Sequence, residues 1–487
     1  MMTQSRGLRM YAEKLEMLID GAWVQGSSGA TAPLFNPADG AEIAAVPHAT
    51  RDDLDRVLDA SGRAFQAWKT TTAAYRWQIL SRAADLIEAR KGDIARTLTL
   101  ENGKALAEAV GEVQFCADAT RWYAEEAKRA YGRIIPARAT GVRQMVFKEP
   151  VGPALGFAAW NFPAGNVTLK MAAALAAGCS IIVKPSDETP GTAVAIGRCF
   201  QDAGVPAGAL NIVFGPPAAI SEHLIASPVP KKVSLTGSTP VGKLLQRLAS
   251  ETLKRCTMEL GGHAPVIVFE DADVEKALDV LIAAKFRNAG QVCTSPTRFY
   301  IQENVYEHFV TGFVERSRKI VVGNGLDEGT QMGPLITERR LDMMDAFVRD
   351  AVEKGASVAL GGERLDRKGY FYAPTVLKDV TDDARVMSEE PFGPLAQLTP
   401  FKSVDEVIAR ANSLPFGLAA YLFTTNGSTA SAVGEALEAG VVGVNHTSVH
   451  EPETPFGGVN ESGYGAESGI EGLEAYLRTK MISEKRL

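Results

Sequence analysis

The chain has 487 residues, more than a single hydrophobic core accommodates, so two or more domains are expected. Its composition, 46% hydrophobic and 22% charged, excludes fibrous and disordered classes, and no apolar run of about eighteen residues occurs to span a membrane. A net charge of -7, from 51 basic and 58 acidic residues without any Lys/Arg-rich run, argues against a nucleic-acid partner.

The N-terminal stretch MMTQSRGLRMYAEKLEMLID lacks the apolar core of a signal peptide. Residues 75–91, YRWQILSRAADLIEARK, place Ile79, Ala83, Leu86 and Ile87 on one face and predict an amphipathic helix. The segment 131–150, YGRIIPARATGVRQMVFKEP, has strand texture on either side of a turn. From residue 150 onward, short apolar runs (VGPALGFAAW, LAAGCSIIVKP, GALNIVFG, KKVSLTG) alternate with helical stretches at 192–204 and 241–253. That alternation predicts a parallel sheet covered on both faces, with ligands beyond the carboxyl ends of its strands. A second α/β region opens near 259 with a strand at 265–269 and a helix carrying Val274, Ala277, Leu278, Leu281 and Ile282 on one face. Cys293 follows that helix on a loop. AYLRTKMIS (475–483) reads as a last strand. No internal repeat or low-complexity linker is present.

Cys116, Cys179, Cys199, Cys256 and Cys293 form an odd set with no CxxC, and six histidines lack metal-ligand spacing. Neither a disulfide framework nor a metal site is expected, and a reducing cytoplasm fits the cysteine usage.

A thiol enzyme acting on a carbonyl needs a thiolate, donors for the tetrahedral oxyanion and a base that activates water. Cys293 in GQVC supplies the sulfur, Glu259 in MELGG a carboxylate beside two flexible glycines, and Asn161 in WNFP a side-chain amide after a strand. Taken singly, each has a bland reading: a core-filling thiol, a solvated acid and a turn asparagine.

WNFP (160–163), MELGG (258–262), GQVC (290–293), EEPFGP (389–394) and PFGG (455–458) resemble, in order, the motifs of the NAD(P)-dependent aldehyde dehydrogenase superfamily. The resemblance extends over roughly residues 17–485. It implies a Rossmann-type coenzyme domain (1–130 and 149–258), an α/β catalytic domain (259–465) and a small β oligomerisation arm (131–148 and 470–487). It also implies Cys293 as nucleophile, Glu259 as general base and Asn161 as oxyanion donor, with aldehyde oxidised to acid through a thiohemiacetal and a thioester. Lys170 and Glu467 match positions that the family places near a proton path behind the base, or they form a structural salt bridge. Members are homodimers or homotetramers, and the arm implies the same association.

On the coenzyme side, the strict GxGxxG fingerprint is absent: GPPAAI, from Gly215, has prolines where relatives have a second glycine. LTGSTPVG matches the family's helix-opening segment, which implies Gly237 and Ser238 at the pyrophosphate, with Val241 and Leu260 nearby. Trp160 and Phe392 are expected to border the cleft and Glu390 to take the nicotinamide-ribose hydroxyls. KPSDETP sets coenzyme choice. Lys184 reaches an adenosine ribose or a 2′-phosphate, Asp187 stands where family members carry a ribose-binding glutamate, and Ser186 offers a donor to a phosphate. A carboxylate there favours NAD over NADP.

KFRNAGQ before the cysteine and PTRFYI after it are similar to the succinate-semialdehyde dehydrogenase-like members. Arg287 stands where that subgroup holds a substrate carboxylate, a task suited to a guanidinium fork, although pairing with a structural acid is the alternative. A second family arginine is replaced by Leu169, and the loop HTSVHEPET lacks the expected serine pair, with His450 read as a surface-loop residue or, as the alternative, one facing the substrate channel. A semialdehyde acid such as succinate semialdehyde is therefore the expected substrate, with neutral or aromatic aldehydes as the alternative. A CoA-acylating enzyme and a non-catalytic binding protein on the same fold are the other readings. Glu259 stands against the first, and the joint presence of Cys293, Glu259 and Asn161 against the second.

Overall fold

The computed structural model describes residue 11 and residues 13–485. The first ten positions of the stretch read above for a leader, and residues 486–487 of the expected arm, lie outside the described residues.

Two sheets carry two separate cores. The first has eight strands in the order Ala22–Val24, Met17–Ile19, Leu210–Ile212, Ile181–Lys184, Ala154–Phe157, Lys232–Thr236, Arg255–Glu259 and Gly463–Tyr464. Its central strands run parallel, as the texture after residue 150 predicts, and are buried on both faces. Both edges are antiparallel, one from the N-terminal hairpin and the other from a two-residue strand near the C-terminus. The second sheet has seven strands, from Ser357–Leu360 through Thr375–Lys378, Leu395–Phe401, Pro296–Gln302, Ala264–Val268 and Ala419–Phe423 to Val441–Val444. One core runs from Tyr11 to Leu260 and regains the chain at Leu473, whereas the other runs from Ala264 to Leu437.

Local chemistry sets the helices. The helix Ala73–Ala89 begins where the Thr72 side chain accepts from the Tyr75 N–H, and it buries Ile79, Ala83 and Ile87. Pro163–Ala177 opens on proline, ends at left-handed Gly178 and is buried along its whole length. A three-stranded sheet falls in the segments read for an arm: Leu477–Lys485, Val142–Pro150 and Arg133–Ile135 pair antiparallel, and all of the last strand beyond Leu477 is exposed. Among the described residues no helix is long and apolar enough to cross a membrane.

Phe157, Lys184, Thr236 and Glu259 end neighbouring parallel strands, so the segments that follow them crowd one edge of the first sheet. The second sheet meets that edge through the loop holding Cys293.

Arg298, just past that loop, is 2% exposed. Its guanidinium donates to the carbonyls of His263 (3.0 Å), Arg410 (3.1 Å) and Ala411 (2.9 Å), tying the strand Pro296–Gln302 to a helix end. Arg298→Leu leaves those carbonyls without the donor and is expected to cost about 3 kcal/mol. The check is guanidinium-induced unfolding, where an unchanged midpoint would contradict this account.

Candidate active site

Cys293 sits on a turn beyond the helix Val274–Phe286 and a short 3-10 segment, Arg287–Gly290. Within that segment Asn288 and Ala289 have φ of 47° and 53°, and Gly290 continues the left-handed run at 72°. A Cβ at Gly290 would collide with the Gly393 carbonyl, so glycine is required there. The Asn288 N–H donates to Glu108 Oε2 (3.0 Å), and its side-chain amide donates to the main-chain carbonyl of Asn161 (3.0 Å). Gln291 closes the turn through the Asn288 carbonyl (3.1 Å) and accepts from the Ile336 N–H (3.0 Å).

Glu259 is buried at the end of its strand, near enough to the Cys293 thiol for each group to shift the other's titration. Burial first, then the negative charge of Glu467, pushes its carboxyl up to about 8, against the pull of Lys170. Its Oε1 has no hydrogen-bond partner among the described residues, which leaves an acceptor open to a water. Behind it, Lys170 Nζ bonds Glu467 Oε1 (2.7 Å) and Thr236 Oγ1 (2.5 Å). Asn161 is 4% exposed; its Oδ1 accepts from Asn166 Nδ2 (3.3 Å), so its own side-chain N–H groups are left for the cavity.

Two cavities open on this sulfur. One, of about 420 Å³, is walled by Trp160, Lys184, Ser186, Gly237, Ser238, Val241, Leu260, Glu390 and Phe392, all named from the sequence. Trp160 and Phe392 meet edge to face at 5.4 Å. Asp187 and Gly215 are not brought to this wall. The Asp187 carboxylate accepts from Lys184 Nζ (2.9 Å), itself at the cleft wall, and from the Gly215 N–H (3.4 Å). The residues at the wall fit a dinucleotide. The helix Thr239–Ser250 opens at Ser238, whose hydroxyl makes no cap bond, so hydroxyl and N–H groups are free for a pyrophosphate. Glu390 approaches the chain at Gly261 so closely that a Cβ there would lie 2.5 Å from Oε2, while Oε1 accepts from the Gly262 N–H (3.1 Å). Burial pushes the Glu390 carboxyl up to about 7, opposed by Gly262, Arg340 and Lys285.

The other cavity, of about 410 Å³, holds Asn161, Glu259, Cys293 and Glu467 at one end. Phe115, Phe162, Leu169, Val292, Val449 and Phe456 make its apolar wall. Arg287 also lines it, with its guanidinium over the Phe162 ring (5.1 Å) and no ion pair among the described residues. His450, expected on a surface loop, is instead part of the wall: it stacks on Phe456 at 4.0 Å and meets Phe115 edge-on at 4.9 Å. Burial, with Arg287 adding to it, holds its imidazole neutral at a pKa of about 3.

Sequence reading passed over Asn166, Asn288, Arg339 and Arg340. Arg340 donates to the Phe392 carbonyl (2.7 Å) and so holds the EEPFGP loop against the cleft, but nothing in ERRLDMM signals that contact. Asn288 stood inside the quoted KFRNAGQ, yet its left-handed backbone has no pattern of its own.

A dinucleotide-sized cleft and a substrate-sized cavity converging on one thiol define a coenzyme-dependent oxidoreductase. The chain belongs to the aldehyde dehydrogenase family, whose profile matches residues 23–482, and it is an NAD(P)-dependent aldehyde dehydrogenase. It is 46% identical over 467 residues to 4-(hydroxymethyl)benzenesulfonate dehydrogenase of Comamonas testosteroni, covering 96% of this chain and 97% of that one. It is 43% identical to the NADP(+) succinate-semialdehyde dehydrogenase of Escherichia coli K12 over the same shares. The betaine aldehyde dehydrogenase of Staphylococcus aureus, solved in complex with NAD+, superposes with a TM-score of 0.96 at 32% identity, covering 99% of this chain and 97% of that one.

Burial, then Glu259 and Glu390, push the Cys293 thiol up well above the ordinary cysteine range, with Arg287 opposing. Iodoacetamide is therefore expected to label Cys293 slowly at pH 7 and faster at each step to pH 9. A rate that levels off below pH 8, followed by mass mapping of the adduct, would contradict that ordering.

Proposed function

We propose that the chain oxidises an aldehyde borne on a flat apolar body with an anionic substituent, an aromatic aldehyde carrying a carboxylate or sulfonate. The observation that carries this reading is the 410 Å³ cavity, with its aromatic walls and one arginine free of any ion pair among the described residues. An aromatic ring fits between Phe115, Phe162, Phe456 and the neutral His450, and Arg287 offers a fork to the anion. Leu169 provides packing rather than a second charge. The benzenesulfonate-acting relative supports the ring and the anion together, and the succinate-semialdehyde relative supports the anion alone. A linear semialdehyde acid is the second reading, favoured by Arg287.

In the reaction, Cys293 Sγ bonds the carbonyl carbon while its proton passes to Glu259. The oxyanion is met by the Asn161 side-chain amide and by the Cys293 N–H. NAD(P)+, when bound in the cleft, supplies the hydride acceptor that leaves a thioester on Cys293. Once Glu259 has given up the thiol's proton it takes another from water, the water oxygen bonds the acyl carbon, and the C–S bond breaks to release the acid and the Cys293 thiolate. Lys170 and Glu467 provide the onward path for that proton. Hydrolysis is favoured over transfer to CoA by the free Oε1 of Glu259 beside the sulfur.

Trp160, Lys184, Ser186, Gly237, Ser238, Val241, Leu260, Glu390 and Phe392 are proposed to hold the coenzyme. The Lys184–Asp187 pair takes up the one lysine of the loop that a 2′-phosphate would use, which favours NAD. The coenzyme, catalytic and arm segments expected from the sequence are proposed as domains, supported by the division of the two cores between Leu260 and Ala264. The exposed last strand, with Met481 57% exposed, supports association into a homodimer or homotetramer in a reducing cytoplasm.

Glu259 is largely protonated below a pH of about 8 and ionised above it, so the hydrolytic half-reaction is expected to rise with pH through that value. Glu259→Gln should flatten the rise and lower turnover by about 10²–10⁴-fold. A pH profile that keeps its rise in this variant would assign the base elsewhere.

For the substrate, kcat/KM is compared across 4-formylbenzenesulfonate, 4-formylbenzoate, benzaldehyde and succinate semialdehyde. Arg287→Leu is expected to cost the charged aromatic aldehydes about 10–10²-fold and benzaldehyde little, as the loss of a charged hydrogen bond predicts. Succinate semialdehyde outperforming every aromatic substrate would move the assignment to the second reading.

A further inference from the structure

The segment Glu101-Asn102-Gly103-Lys104 lies at the end of the helix Lys91–Asn102, remote in sequence from every motif above, yet Glu101, Asn102 and Lys104 are at most 1% exposed. Burying an ammonium is costly unless it is paired and fully bonded. Lys104 Nζ donates to Glu112 Oε2 (2.5 Å) and to the main-chain carbonyl of Asn161 (2.9 Å). The other Glu112 oxygen accepts from the N–H groups of Ala164 (2.9 Å) and Gly165 (3.1 Å), in the first turn of the helix that follows Asn161. Asn102 Nδ2 donates to the carbonyl of Trp160 (3.0 Å). The two carbonyls before that helix and the two amides at its start are thus gripped from one short stretch and its partner acid.

A pair kept for stability alone has no need of charge, since apolar side chains of similar volume fill such a space with less desolvation cost. An apolar side chain at 104, however, removes the charged donor (2.9 Å) from the Asn161 carbonyl and leaves it only the neutral Asn288 amide (3.0 Å). We infer that Lys104, with Glu112, is a positioning residue for the oxyanion: it fixes the Asn161 main chain so that the side-chain amide stays where the substrate oxygen gains charge. The inference rests on Asn161 being the oxyanion donor.

Lys104→Met alone leaves Glu112 buried without its cation, so the decisive variant is the pair Lys104→Met with Glu112→Gln, in which the amide oxygen still accepts from Ala164 and Gly165. It is compared with Asn161→Ala and with the triple variant, in the full-length enzyme with saturating NAD+ and 4-formylbenzoate. The pair variant is expected to lose about 10–10²-fold in kcat, the scale of a displaced or missing oxyanion donor. Labelling of Cys293 by iodoacetamide, which needs no oxyanion hole, should stay within about twofold of the parent. Adding Asn161→Ala to the pair should cost nothing further than Asn161→Ala alone, as coupled residues require. Losses that multiply, a pair variant with parental kcat, a parallel fall in labelling, or a pair variant that fails to fold each overturn the inference. If Asn161→Ala alone keeps full kcat, the oxyanion reading fails, and the inference with it.

Discussion

The left-handed run through Asn288, Ala289 and Gly290 is the constraint on which the site depends, because a non-glycine residue held in that region costs about 1–3 kcal/mol. The surroundings over-determine it: Glu108 accepts from the Asn288 main-chain N–H, the Asn288 side-chain amide donates to the Gln291 and Asn161 carbonyls, and the Gln291 side chain donates back to the Asn288 carbonyl. The bend swings the chain from a helix of the second core to the open edge of the first sheet. Without it the sulfur would continue along the helix axis and miss Glu259. The same side chain that stabilises the bend also bonds the Asn161 backbone, so Cys293 and Asn161 share one support.

Burial is the second theme. Glu259, Glu390 and Glu467 crowd a region from which water is largely excluded, countered by Lys170, Lys285, Arg287 and Arg340. In such surroundings each charge interacts more strongly than in water, and carboxyls move toward neutral pH. A thiol beside a carboxyl can then exchange a proton over a small free-energy gap, which neither group offers alone at its ordinary pKa.

Much of this was legible in the sequence, for definite reasons. Apolar runs at 154–157, 181–184 and 232–236 announce central strands because both of their faces are buried, and the motif residues fall at the ends of those strands. What stayed hidden depends on contacts between distant segments. His450 reads as a loop histidine until Phe456 and Phe115 are seen packed on it. The pairing of Asp187 with Lys184 and with the Gly215 amide is likewise visible only once the fold is formed. Edge strands of two or three residues, such as Gly463–Tyr464, are too short to leave a periodic pattern.

The edge strand Gly463–Tyr464 bears on when Lys170 gains its partner acid. Gly463 pairs with Glu259 at the sheet edge, and shortly afterwards Glu467 reaches Lys170 across 297 positions of chain. During synthesis the lysine, the base and the sulfur all leave the ribosome before this acid exists. A nascent chain can therefore assemble its parallel strands while its buried ammonium waits for a counter-charge. Closing so long a loop is slow compared with forming local helices. The ion pair behind Glu259 can therefore form only after residue 467 has been made, well after the strands that surround it.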